Sequence, residues 1–118
     1  MLRRFKLINA ETPEQNKFAI LEYDTESDKY ALHIPKDINS EWLPAIPYCL
    51  YEKGVYDVDD YWARRFVKER VIPPERQNIG SILRTIGAPY YTEFAILEYC
   101  GGRCCMDEFY LEEIEGPL

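Results

Sequence analysis

The chain has 118 residues, enough for one domain with a sizeable core. Its 47% hydrophobic content excludes wholesale disorder, and no apolar run approaches the ~20 residues of a membrane-spanning helix. With 21 acids against 14 bases the net charge is −7, which disfavours direct nucleic-acid binding and suits docking to a basic surface or imitation of nucleic acid.

The opening stretch from Met1 to Ala10 carries Arg3 and Arg4, and Lys6 and Asn9 then interrupt what would be the apolar core of a secretory signal. The expected location is the cytoplasm, where the four cysteines stay reduced. Phe5 to Ile8 reads as a short strand. Phe18 to Tyr23 (FAILEY) and Tyr30 to Ile34 read as the two strands of a β-hairpin around the polar turn Asp24 to Asp28. In the second strand Tyr30, Leu32 and Ile34 alternate with Ala31 and His33. From Pro35 to Pro47 the chain reads as an irregular connector anchored by Trp42.

Helical periodicity takes over in the second half. Asp57 or Asp59 can cap a helix running to about Arg70. Its apolar stripe reads as Val58, Trp62, Ala63, Phe66 and Val67, with Tyr61, Arg64 and Lys68 opposite. Pro73-Pro74 separates it from a second helix on Ile79, Ile82, Leu83 and Ile86, closed by Gly87. Thr92 can cap a third helix, Glu93 to Cys100, ended by Gly101-Gly102. FAILEY recurs inside it, at Phe94 to Tyr99, so the same hexapeptide is predicted as strand once and helix once. The segment Cys104 to Ile114 is amphipathic but too short to assign. The predicted fold is α+β, a small N-terminal antiparallel sheet with about three C-terminal helices on one side. Trp62, Phe66, Ile82 and Leu83 are its expected core.

No residue set carries a strong catalytic signature. Cys100, Cys104 and Cys105 cluster, but the C-x3-C-C spacing is not a common zinc pattern, so they read as small buried hydrophobes. His33 shows no partner pattern for acid–base work. Asp57, Asp59 and Asp60 suit a helix start, and Glu112, Glu113 and Glu115 a tail. No phosphate-cradling glycine motif is present. The expectation is no catalytic residue, no cofactor and no metal. Arg64, Arg65, Lys68, Arg70 and Arg76 form one basic island in an acidic chain. Beside Tyr61, the exposed Arg64 and Lys68 have the composition of an interface, so Tyr61, Arg64 and Lys68 are the candidate partner-binding residues.

Several of these segments recur, in order, in a known family. FAILEYDTESDKYALHI is followed by Trp42-Leu43 and by Ile46-Pro47-Tyr48-Cys49-Leu50. Then come Phe66, Val71 to Arg76, the Ile79/Ile82/Leu83 helix ending at Gly87, and Glu93 to Leu97 with Gly102 and Cys104. This series, covering about Phe18 to Cys105, resembles the N-terminal subdomain of HipA-type toxin kinases, in which the Pro-rich segment is a strand. Pro74 is extra relative to that pattern, Arg76 replaces a glycine, and Met106-Asp107 replaces a Gly-Ala pair. The resemblance implies a free-standing version of the subdomain, an antitoxin that binds and restrains a separate HipA-like serine/threonine kinase, with a helix-turn-helix repressor as a further partner. The competing expectation is an acidic anti-defence or immunity protein that blocks an unrelated target such as a nucleic-acid enzyme. A metal-dependent or thiol enzyme built on the cysteines is the third.

Overall fold

The computed structural model describes residues 2–12, 17–39, 43–71, 77–103 and 108–114. Trp42, Ile72 to Arg76, Cys104, Cys105, Met106-Asp107 and Glu115 lie outside them.

Alternation of apolar and polar residues makes the sheet. Strand β1 (Leu2–Asn9) pairs antiparallel with β2 (Ala19–Asp24), and β2 with β3 (Lys29–His33), closing the expected hairpin. Asp28 takes a left-handed conformation (φ 54°) in that turn, one that aspartate tolerates better than most residues. After helix α1 (Ala45–Glu52), β4 (Asp57–Val58) adds beyond β3. Helices α2 (Asp60–Arg70), α3 (Ile79–Ile86) and α4 (Glu93–Cys100) follow, and β5 (Phe109–Glu113) returns to pair with β1. The sheet order is β4-β3-β2-β1-β5, every pairing antiparallel.

One face of the sheet, Phe5, Leu7, Ala19, Leu21, Tyr30, Leu32, Phe109 and Leu111, packs with Leu50, Ala63, Phe66, Val67, Phe94 and Leu97 into a single core. The other face, with Arg4, Lys6, Glu22 and His33, stays partly open. The architecture is α+β, as the sequence predicts, with five strands and four described helices.

The identical hexapeptides do take different states, and each buries different residues. The strand copy hides Ala19 and Leu21, two apart; the helical copy hides Phe94, Ile96 and Leu97. Tyr23 of the first stacks on Phe94 of the second, ring centroids 4.1 Å apart. The Thr92 hydroxyl accepts from the Ala95 N–H, which starts the helical copy.

Three expectations need correction. The segment Ile46 to Leu50, a strand by resemblance and partly a connector by composition, lies in α1. Pro47 stands in the first turn of α1, where its missing N–H has no helical partner to lose, and it is buried there. Strands are not confined to the first half: β5 forms from the segment too short to assign. Within the expected core, Phe66 and Ile82 are buried, but Trp62 is 40% exposed and Leu83 is half-buried.

Both edges of the sheet are blunted. Strand β4 has two residues. On β5 the outward Leu111 N–H donates to Gly101 O (2.8 Å), and Phe109 O accepts from the Arg70 guanidinium (2.9 Å). Gly102 must be glycine here: its φ is +72°, and a Cβ would lie 2.6 Å from the Leu111 side chain.

Candidate protein-binding surface

Helix α2 sets the geometry of the surface. Asp59 caps it, its carboxylate accepting from the Trp62 N–H at 3.2 Å. Ala63, Phe66, Val67 and Arg70 face the core. At about 100° per residue, the midline of that stripe leaves Trp62 about 90° to one side and Arg64 about 110° to the other, while Tyr61, Arg65 and Lys68 point away. Neighbours decide the two flanking positions. Trp62 turns outward and Arg64 turns inward, the reverse of the sequence expectation for both.

Arg64 is anchored to the hairpin. Its guanidinium lies over the Tyr30 ring (4.9 Å to the centroid) and donates to Asp60 (3.2 Å) and to Asp28 O. Asp60 also accepts from the Tyr30 N–H at 2.8 Å. Burial works against the Asp60 carboxylate, but the Tyr30 N–H and Arg64 together hold its pKa below the ordinary value. The neighbouring Tyr23 phenol is pushed up to about 12, by burial first and then by its hydrogen bond to Asp28. Arg64 is thus a tie between α2 and the β2–β3 turn and does not stand on the outward side.

On the outward side Tyr61 is 59% exposed, next to Trp62. Their rings meet edge to face, 5.2 Å apart at 89°. The Arg65 guanidinium lies over both, 5.8 Å from the Tyr61 centroid and 5.4 Å from that of Trp62, with Nη1 3.4 Å from the Tyr61 hydroxyl. Lys68 is exposed one turn on. Tyr61, Trp62, Arg65 and Lys68 are thus exposed together on one side of α2, and Arg64 lies apart from them. The signal for Arg65 lies in the helical angles, since Arg65, not Arg64, stands opposite the buried stripe; Trp62, on its flank, carries no such signal.

Arg70, at the core end of the same helix, is buried and donates to Gly102 O (2.6 Å) and Phe109 O (2.9 Å). Of the basic island, Arg64 and Arg70 hold the fold, Arg65 and Lys68 face outward, and Arg76 lies outside the described residues.

The remaining candidates are placed as follows. His33 has partners that the linear sequence does not reveal: Nε2 is 2.6 Å from Glu22 and Nδ1 is 2.9 Å from Asp57, both across strands. The ring satisfies both carboxylates only when each nitrogen carries a proton. Cys49 is exposed on α1, and Cys100 is half-buried, its thiol pKa raised by burial. Among the described residues no group of three or more His, Cys, Asp or Glu is placed to hold a metal ion, and no helix is long and apolar enough to cross a membrane. A cleft of about 170 Å³ between β1, β5 and α4 is lined by Arg3, Phe5, Leu97, Glu98, Gly101, Leu111 and Glu113. Its cation, Arg3, is already paired with Glu113 (2.7 Å) and Glu98 (2.9 Å).

No family model, no curated protein and no solved structure matches this chain.

Proposed function

We propose that this chain is a non-catalytic, cytoplasmic antitoxin that docks on a separate HipA-like serine/threonine kinase and restrains it, with the outward side of α2 as the docking face. The observation that carries the docking half is the exposed Tyr61–Trp62–Arg65 cluster with Lys68 beside it. Tryptophan, tyrosine and arginine dominate binding hot spots because they bury large area around a fixed polar tip. Here they sit on a capped helix whose other side is locked in the core, so little order is lost on binding. The kinase half rests on the sequence resemblance. A helix-turn-helix repressor fits the same reading as a third member, without direct DNA contact by this chain.

The rival reading, an acidic imitation of nucleic acid, rests on the net charge of −7. Among the described residues Glu98 and Glu113 pair with Arg3 and Asp28 and Asp60 with Arg64, while Glu52, Glu69 and Glu112 form no ion pair, so the docking reading rests on the α2 face and not on the acids. The test is to co-express the chain with the HipA-like kinase encoded nearest to it and measure complex formation and kinase autophosphorylation. A stable complex with suppressed autophosphorylation is expected. A kinase that neither binds nor slows in the presence of an excess of folded protein contradicts the proposal.

A further inference from the structure

We propose that the partner segment gripped by this face is acidic, presenting carboxylates to Arg65 and Lys68 and an apolar side chain to Trp62 and Tyr61. This deepens the reading of α2 as the docking face and rests on it. The placement of two cations beside two exposed rings makes the case. In a chain of net charge −7, Arg3, Arg4, Lys17 and Arg64 each face a carboxylate and the buried Arg70 faces backbone carbonyls, while Lys6, Lys29, Lys36, Lys53, Arg65, Lys68, Arg84 and Arg103 form no ion pair among the described residues. Of these, Arg65 and Lys68 stand one turn apart on the same helix face, next to the exposed Tyr61 and Trp62. Glu69 stands four residues on, at a spacing that permits an ion pair, yet Arg65 forms no ion pair among the described residues and lies over Trp62 and Tyr61 instead. Lys68, three residues on, is exposed and likewise forms no ion pair among the described residues.

Two cations without carboxylate partners, adjacent on one helix in an acidic protein, are the complement of an anionic segment. The two rings already restrict the Arg65 fork, so less freedom is lost when it grips a carboxylate with two parallel N–H donors. Lys68 adds a second point of charge. The net charge of −7 disfavours an acidic segment over most of the surface, so a pair of adjacent cations helps to fix where it lands. Trp62 and Tyr61 supply the apolar area that two surface ion pairs alone would not. Nucleic acid is the other polyanion, but two cations in an acidic chain offer few phosphate contacts.

The test uses the full chain and four fluorescein-labelled probes: a twelve-residue peptide alternating Leu and Glu, its Gln and Lys counterparts, and a twelve-nucleotide oligothymidylate. Fluorescence anisotropy is read at low and moderate salt. The Glu peptide is expected to bind at least about tenfold more tightly than the Gln peptide, with the advantage shrinking as salt rises. Arg65→Glu should remove that advantage and Lys68→Glu reduce it, while Arg84→Glu, the same charge change on α3, should leave it within about twofold of the advantage shown by the wild-type chain. Equal binding of the Glu and Gln peptides, indifference to Arg65→Glu, or tighter binding of the oligonucleotide overturns the inference. The kinase separates this result from the function proposed above. If the Arg65→Glu/Lys68→Glu protein retains the kinase in full, the acidic segment is wrong and docking stands. If the Glu peptide binds through Arg65 and no kinase binds, the kinase is wrong and the acidic segment stands.

Discussion

Arg64 and Arg65 are neighbours on one helix and have opposite surroundings. Arg64 finds the Tyr30 ring, the Asp60 carboxylate and a turn carbonyl, and with Arg70 it belongs to the side of α2 that holds the molecule together. Arg65 finds two exposed rings and no carboxylate among the described residues. A basic run on a helix is therefore not one feature. Arg65 points away from the core by its helical angle, whereas Arg64, on the flank of the stripe, is turned inward by Tyr30 and Asp60.

Substitutions on the two sides should separate the same way. The largest effect is expected at Arg70. Arg70→Ala removes charged donors from Gly102 O and Phe109 O in a buried setting and should cost about 3 kcal/mol or more in urea denaturation. Amide exchange in β5 should accelerate with it, because Arg70 holds that strand against α2. Arg64→Ala should cost about 1–2 kcal/mol, from the lost contacts with Tyr30 and Asp60, and leave kinase affinity unchanged. An Arg64→Ala protein as stable as wild type but defective in binding would erase the distinction between the two sides.

On α2, acid should act through the inward Asp60, alongside Asp24 and Glu113 elsewhere, whose pKa values are also lowered. The Asp60 pKa is lowered in the folded state, so its contribution is present above the ordinary value of 3.8 and is lost as pH falls through the folded value. Asp60→Asn should reduce the slope of stability against pH in that acid range without abolishing it, because Asp24 and Glu113 still contribute. A slope identical to that of wild type would place the acid sensitivity elsewhere.

Much of the fold is legible in the sequence, for local reasons. Thr92 and Gly101 bracket the helical FAILEY as punctuation brackets the strand copy, so flanks rather than composition separate them. Gly87 takes the left-handed conformation its position implies. What escapes notice depends on distant residues. Strand β5 is five residues whose pairing with β1 spans nearly the whole chain, and no local pattern states it. The carboxylate partners of His33 lie on other strands. At the candidate surface, Tyr61 and Lys68 are legible because they stand clear of the apolar stripe. Trp62 and Arg64 are misassigned because hydrophobicity suggests inside for one and charge suggests outside for the other. Both sit at the flanks of the stripe, where the Tyr30–Asp60 site accepts a guanidinium and the indole turns out beside Tyr61.

The central claim is that the outward side of α2 binds and does not stabilise. The direct test is the Trp62→Ala/Arg65→Ala protein, measured by thermal melt and by affinity for the co-expressed HipA-like kinase. Exposed positions of this kind change stability by about 0.5 kcal/mol or less each, so the melt should shift by only a few degrees. Affinity should fall by about 2 kcal/mol or more, roughly thirtyfold. A folded double variant that binds the kinase as tightly as wild type would contradict the account.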